Sequence, residues 1–181
     1  MADFLDPELL AALDGMQGRP FSGHVWRVTW ATRNPLAGGS GGGRWSPEGR
    51  LEVLYTSLEH NGALAEAYHH LSRAPVMSSS HMLLNKLSVS LENVLELSVD
   101  QLVTLGMEHP RAPRLTSQLG RRIGEAAFML NYRGLLVPSA RWDCSNLVVF
   151  LDQESFDIGK HLSFDQASDV NWPAWRESRG N

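Results

Sequence analysis

Cysteine is nearly absent from this sequence, since Cys144 is the only one in 181 residues. The chain therefore cannot form an internal disulfide, which fits the reducing cytoplasm. No apolar run approaches the roughly 20 residues of a membrane-spanning helix, and the acidic first ten residues lack the basic start of a secretory signal. The formal net charge of −4 argues against a general nucleic-acid binder. We expect a soluble, cytoplasmic protein that binds neither membrane nor nucleic acid directly.

Length and composition indicate one globular domain, with 43% hydrophobic and 20% charged residues. Caps and apolar spacing predict helices over residues 8–13, 98–105 and 116–132, with Asp6-Pro7 and Ser98 as starts. The tripeptide Arg73-Ala74-Pro75 predicts a break. Apolar alternation predicts strands over residues 24–30, 53–56, 81–90, 93–97, 135–138 and 146–151.

Residues 53–71 form the stretch around which we organise the chain. A short apolar strand leads through Ser57, a predicted N-cap, into an apolar helical pattern. Glu66 lies beside the apolar positions of that helix, where a carboxylate needs a partner or a function. The strand supplies a phenol, Tyr55, close to this acid. The unit therefore predicts one half of an active site.

Two further stretches supply polar groups that can meet this unit. The strand over residues 24–30 carries Arg27, and the apolar strand over residues 135–138 is followed by Ser139. Arg27 could instead be a solvated charge on the outer face, which is the common fate of an arginine. We interpret Arg27, Tyr55, Glu66 and Ser139 as one site.

The glycine-rich run over residues 38–43 has two interpretations that the sequence leaves open. It could be a flexible linker, because it matches neither a P-loop nor a dinucleotide-binding fingerprint. It could also be a ligand loop, because it ends in Gly43-Arg44-Trp45. Glycine allows close backbone approach, Arg44 offers a fork for phosphate, and Trp45 offers a stacking face.

Three other patterns favour ordinary interpretations. Glu66 and His69 have the spacing of di-metal helices, but no second copy accompanies them, so we expect no metal. Cys144 lacks an obvious paired histidine and suits a small buried position. Ser139 lies in Pro-Ser-Ala, which is not the Gly-x-Ser-x-Gly turn of a hydrolase.

Several segments together resemble the RES domain over roughly residues 23–153. They are Trp26-Arg27-Val28, Gly42-Gly43-Arg44-Trp45-Ser46-Pro47-Glu48-Gly49, Leu54-Tyr55-Thr56-Ser57, Ala63-Leu64-Ala65-Glu66 and Gly134-Leu135-Leu136-Val137-Pro138-Ser139-Ala140-Arg141. The family is named for an arginine, a glutamate and a serine, which correspond here to Arg27, Glu66 and Ser139. The glycine-rich approach to Arg44 is a departure from the family pattern.

The resemblance implies a toxin of a bacterial toxin–antitoxin pair that consumes NAD+ and is paired with an Xre-like antitoxin. It implies an α+β domain similar to ADP-ribosyltransferases, and we expect two small, mostly antiparallel sheets around an NAD cleft with helices outside. We expect residues 1–22 to be a helical extension, 23–153 the core, and 154–181 a segment packed on the same domain.

The site residues then acquire expected roles. Arg27, Tyr55, Glu66 and Ser139 would be catalytic, while Gly43, Arg44, Trp45 and Thr56 would contact NAD+. The acceptor stays open between water, phosphate and a side chain of a target protein. Two alternatives also stay open: an inactive module that binds NAD+ or the antitoxin, and an unrelated hydrolase that uses Ser139 or Cys144.

Overall fold

One long strand connects most of the sheet. The computed structural model describes residues 6–72 and 81–179, so the predicted break at 73–75 lies outside the described residues. Strand β3 (Met82–Glu96) pairs antiparallel with β1 (Arg19–Trp30) on one side and β6 (Leu162–Asp169) on the other. Its last residues pair in parallel with β4 (Gly134–Pro138). A single strand therefore has three partners.

These pairings close the sheet. Its order is β1-β2-β5-β4-β3-β6 with an additional β1–β3 pairing, so β1 to β5 form a closed ring and β6 is appended to β3. The remaining ring strands are β2 (Val53–Ser57) and β5 (Ser145–Phe150). The expected α+β class is confirmed, but the expected two small sheets are wrong.

The prediction of two separate strands over residues 81–90 and 93–97 is also wrong, because the structure has one strand, β3, there. Ser90 and Glu92 are exposed positions of this strand on either side of the buried Leu91. The 15-residue strand pairs with β1 between Met82 and Val94 and with β4 between Val94 and Glu96. A continuous strand joins what two short strands would leave separate.

Six helices surround the sheet in the described part of the chain. They are α1 (Pro7–Asp14), α2 (His60–Leu71), α3 (Val99–Thr104), α4 (Pro113–Met129), α5 (Ile158–His161) and α6 (Trp172–Ser178). The predicted caps Asp6 and Ser98 are confirmed, since each side chain accepts backbone hydrogen bonds. Ser57 as the cap of α2 is wrong, because Ser57 still pairs in β2 and Glu59 precedes the helix. None of these helices is long and apolar enough to cross a membrane.

The sheet is buried on both faces near β2 and β5. Val53, Val148 and Phe150 belong to one apolar cluster, while Leu54 and Leu147 belong to another. Alternate strand residues point to opposite faces, so both faces are covered. Helices α1 and α4 cover the first face, and α1 is anchored there where the Tyr132 hydroxyl donates to the carbonyl oxygen of Leu13 at 2.8 Å. The C-terminal α6 packs through aromatic side chains on α2.

Candidate active site

A cleft of about 460 Å³ opens where β1, β2 and α2 meet the loop before residue 46 and the loop after β4. Its volume lies within the range of about 300–1,000 Å³ that is usual for ligand sites. Its polar and charged lining residues include Arg27, Arg44, Tyr55, Thr56, Ser57, Glu66, His69, His70, Arg121, Arg141 and Asn146. Four arginines and a single carboxylate therefore line the described cleft, which suits an anionic ligand.

The carboxylate of Glu66 is held by two neutral donors. Ser139 Oγ donates to Glu66 Oε1 over 2.9 Å, and Asn146 Nδ2 donates to the same oxygen over 3.1 Å. Both hydrogen bonds use Oε1. No residue in the described part of the chain forms an ion pair with this carboxylate. Neutral donors orient the carboxylate without neutralising it. Glu66 therefore keeps its charge available to a ligand.

Ser139 has its hydroxyl direction fixed by the backbone. Its side chain is fully buried, and its Oγ accepts hydrogen bonds from the backbone N–H groups of Arg141 at 3.1 Å and Trp142 at 3.3 Å. A hydroxyl has one hydrogen and two acceptor lone pairs. Because both lone pairs are engaged, the hydrogen is directed at Glu66. This arrangement suits an orienting group and not a nucleophile.

Arg27 lies inside the molecule and not on its outer face. It shares its strand face with Val25 and Thr29, which are both buried. Its Nη1 donates to the carbonyl oxygens of Pro35 and Ala37, each at 2.9 Å. Burial lowers the pKa of Arg27 to about 10, which is still well above neutrality, so the guanidinium stays charged.

Tyr55 holds the end of the glycine-rich loop. Its hydroxyl accepts a hydrogen bond from Trp45 N at 3.1 Å and lies 2.8 Å from Ser46 Oγ. A Cβ on Gly43 would lie 2.4 Å from that hydroxyl oxygen, so the contact requires glycine. Burial raises the pKa of Tyr55, which keeps it a neutral phenol. The loop is thus a built part of the cleft and not a linker.

Trp45 and Arg44 stack on each other. Trp45 is only 2% exposed and belongs to the core, and the Arg44 guanidinium carbon lies 4.9 Å from its ring centroid. The Arg44 side chain also donates to the carbonyl oxygen of Pro110, and burial lowers its pKa. Its buried Nε finds no partner in the described part of the chain. The ring that was expected to stack on a ligand is therefore largely covered by protein.

Two glycines of α4 allow this loop to approach. A Cβ on Gly124 would lie 1.7 Å from the carbonyl oxygen of Trp45, and one on Gly120 would lie 2.5 Å from that of Arg44. Residues four apart share a helix face. The helix thus offers a bare stripe on which the backbone of residues 44–45 lies, which positions Arg44 and Trp45 at the cleft.

Comparison with known proteins decides the family. A family model described as RES domain matches residues 24–172. The chain belongs to the RES-domain family. No curated protein matches it. A crystal structure of the M. tuberculosis MbcT-MbcA toxin-antitoxin complex contains a chain with a TM-score of 0.84 and 24% identity. The alignment covers 98% of this chain and 100% of that chain, and the likeness establishes a shared fold.

The RES motif residues come together only in part. Glu66 and Ser139 are in direct contact, whereas Arg27 lines the same cleft but bonds to loop carbonyls. Thr56 also lines the cleft, yet its hydroxyl donates to the carbonyl oxygen of Leu147 at 2.8 Å and is buried. Its hydroxyl is therefore engaged in the sheet.

Sequence reasoning missed several lining residues of this RES domain. Asn146 opens an otherwise apolar strand, and that polar first position was a signal that we did not use. Arg121 comes from α4 and donates through Nε to Gly43 O at 3.0 Å. Arg141 lies 2.7 Å from the Nε2 atom of His69. Arg121 gave no sequence signal, because only the tertiary fold brings this residue of α4 to the cleft. Arg141 ends the last RES-like segment, a signal that we did not use.

Cys144, the other reactive side chain considered from the sequence, has ordinary surroundings. Cys144 Sγ lies 3.3 Å from Ser57 Oγ, and burial raises the pKa of the thiol, which disfavours the reactive thiolate. Within residues 6–72 and 81–179, no group of three or more His, Cys, Asp or Glu side chains is placed to hold a metal ion.

Proposed function

We propose that this RES-domain protein is the toxin of a toxin–antitoxin pair and cleaves the nicotinamide–ribose bond of NAD+. The observation that carries the proposal is a single carboxylate, Glu66, held by Ser139 and Asn146 in a cleft that four arginines also line. Membership of the RES-domain family supports the choice of substrate. The arginines suit the pyrophosphate, and the carboxylate suits the reacting ribose.

The chemistry needs a carboxylate of this kind. Cleavage of the bond between nicotinamide and ribose passes through a state in which positive charge develops on the sugar, as in glycoside hydrolysis. A fixed negative group near that charge stabilises the transition state more than the ground state. Glu66 would do this and would accept a hydrogen bond from a ribose hydroxyl. Nicotinamide leaves as a neutral base, so no strong general acid is required.

The other residues have supporting roles in this proposal. Ser139 orients Glu66 and does not attack the substrate. Tyr55 shapes the loop over residues 43–46 and brackets the nicotinamide with its ring. Arg27 and Arg44 line the cleft and supply positive potential for the phosphates. Gly43, Trp45 and Thr56 complete the wall on which NAD+ lies.

The acceptor for ADP-ribose defines three versions of this activity. Water would give an NAD+ glycohydrolase, inorganic phosphate a phosphorylase, and a side chain of a target protein a mono-ADP-ribosyltransferase. Each version shares the same bond cleavage and the same use of Glu66. The first two need only the purified chain, whereas the third needs a second protein.

A partner protein is part of the proposal. An enzyme that drains NAD+ in the cytoplasm must be restrained in its own cell. A solved structure of the same fold is a toxin–antitoxin complex, and the resemblance to RES toxins points to an Xre-like antitoxin. We place the antitoxin over the cleft mouth near Arg44, Trp45 and Tyr55, where it would exclude NAD+.

The decisive experiment follows NAD+ and released nicotinamide with the purified chain, first in phosphate-free buffer, then with phosphate, then with cell lysate. NAD+ loss in buffer alone supports the glycohydrolase, and loss that requires phosphate supports the phosphorylase. Labelled protein that appears only with lysate supports the transferase. If NAD+ is stable under all three conditions while calorimetry detects its binding, the chain is the inactive binding module and the enzymatic proposal is rejected.

A further inference from the structure

Arg121 differs from the other arginines of the cleft in how its guanidinium is engaged. Arg27 gives Nη1 to two loop carbonyls, and Arg44 donates to Pro110 and lies on Trp45. Arg121 uses its Nε, which donates to Gly43 O at 3.0 Å. No other described residue takes a hydrogen bond or forms an ion pair with its guanidinium.

The bond to Gly43 fixes Arg121 in a useful orientation. Nε is held by the loop, and the two terminal nitrogens of the guanidinium make no hydrogen bond to any other described residue while Arg121 lines the cleft. Those two nitrogens form the planar fork that binds oxyanions with two parallel hydrogen bonds. The residue is exposed at this edge, so an incoming anion can reach it. Its side-chain entropy is already reduced by the bond to the loop.

The adjacent residue shows what an arginine on this helix does when it has a local partner. Arg122 points to another side of α4, where its Nη2 lies 2.6 Å from Asp6 Oδ2 in an ion pair that anchors the start of α1. Arg121 lies one position earlier and faces the cleft. Among the described residues no carboxylate forms an ion pair with Arg121. The two residues share chemistry and helix, and they differ in partner.

We infer that Arg121 is a substrate-binding residue whose guanidinium fork holds the pyrophosphate of the NAD+ that the proposed function assigns to this cleft. The inference rests on the proposed function and extends it to a residue of α4. Arg121 contacts the phosphates and takes no part in bond cleavage. It also links the glycine-rich loop to the ligand, because one guanidinium contacts Gly43 and the anion together.

The test uses Arg121→Gln, with Arg122→Gln as the matched control. Glutamine places its Nε2 where arginine has Nε, so the bond to Gly43 is retained while the fork and the charge are removed. ADP-ribose, which carries the pyrophosphate, and nicotinamide riboside, which carries no phosphate, are titrated calorimetrically into the wild-type chain and both variants. A charge-assisted hydrogen bond contributes about a 10- to 150-fold change in affinity. We expect that loss for ADP-ribose in Arg121→Gln only, and unchanged affinity for nicotinamide riboside.

Two results would overturn the inference. One is that the wild-type chain and Arg121→Gln bind ADP-ribose with equal affinity, or that neither of them binds it. The other is an equal loss for both probes, since this would indicate general damage to the loop. Nicotinamide release from NAD+ by the wild-type chain is measured in parallel. Release together with unchanged ADP-ribose affinity rejects only the role of Arg121, whereas no release even with phosphate and cell lysate present rejects the proposed function itself.

Discussion

Replacing Ser139 by alanine distinguishes an orienting serine from a nucleophilic one, because the two roles predict very different losses of catalytic rate. The change removes the hydrogen bond of 2.9 Å to Glu66 Oε1 and leaves Asn146 as its remaining described donor. A hydrogen bond to a charged group contributes about 1.5–3 kcal/mol, which corresponds to roughly a 10- to 150-fold loss of rate. Removal of a catalytic nucleophile costs about 10⁶-fold in a serine protease. The two roles therefore differ by about four orders of magnitude.

The same change should also lower stability. Ser139 Oγ accepts hydrogen bonds from the backbone N–H groups of Arg141 and Trp142, and alanine leaves both without this partner. An unsatisfied buried donor costs about 1–3 kcal/mol, so the two donors together cost up to about 2–6 kcal/mol, which for a chain of this size lowers the melting temperature by roughly 4–24 °C. Activity must therefore be measured well below the melting temperature of the variant.

The assay is nicotinamide release from saturating NAD+ by the wild-type chain, Ser139→Ala and Ser168→Ala, an exposed serine on β6. We expect a 10- to 150-fold loss for Ser139→Ala and no change for Ser168→Ala. Adding Asn146→Ala to Ser139→Ala should give a non-additive loss, because both side chains hold the same oxygen. A folded Ser139→Ala at the wild-type rate would refute the orienting role, and a loss near 10⁶-fold would favour the nucleophile.

Three further predictions follow from the cleft. Arg27→Lys should lower the melting temperature by only a few degrees but reduce NAD+ cleavage more than about tenfold, because lysine lacks the planar fork. The control Arg19→Lys, at an exposed position, should cleave NAD+ normally. If Arg27→Lys and Arg19→Lys cleave NAD+ at the same rate, the role of Arg27 is only structural. Gly43→Ala should displace Tyr55, whose hydroxyl oxygen would lie 2.4 Å from the new Cβ, and should raise the KM for NAD+. The control Gly41→Ala should leave KM unchanged, because a Cβ there meets nothing within 4 Å. An unchanged KM in both variants would refute this packing. Co-expression of the cognate antitoxin should suppress NAD+ loss and rescue growth, whereas tight binding without inhibition would contradict a covered cleft.

Local signals predicted much of the secondary structure, and the family resemblance grouped the residues at the centre of the site. Asp6 and Ser98 cap their helices as their side-chain chemistry predicts. The family motif placed Glu66 and Ser139 in one expected site, and these residues, which are 73 positions apart, are in contact in the structure. These features depend on short-range chemistry or on a pattern shared by the family.

Long-range geometry was beyond the reach of the sequence. Closure of the sheet depends on β3 continuing as one strand past Ser90. Burial of Leu91 and Val94 stabilises this continuation. The polar residues in this part of the strand hide it in the sequence. The burial of Trp45 against α4 depends on Gly120 and Gly124, whose meaning appears only once the loop lies on them. The presence of two glycines on one face of a helix does not indicate which backbone segment will pack against that face.

The central claim is that Glu66 stabilises positive charge on the ribose, and one measurement tests it most directly. Nicotinamide release from NAD+ is compared between the wild-type chain, Glu66→Gln, which keeps the shape and removes the charge, and Glu92→Gln, an exposed control on β3. Loss of one preorganised electrostatic group costs about 10²–10³ in rate. The account predicts at least that loss for a folded Glu66→Gln and a normal rate for Glu92→Gln. Release by folded Glu66→Gln at close to the wild-type rate would contradict it.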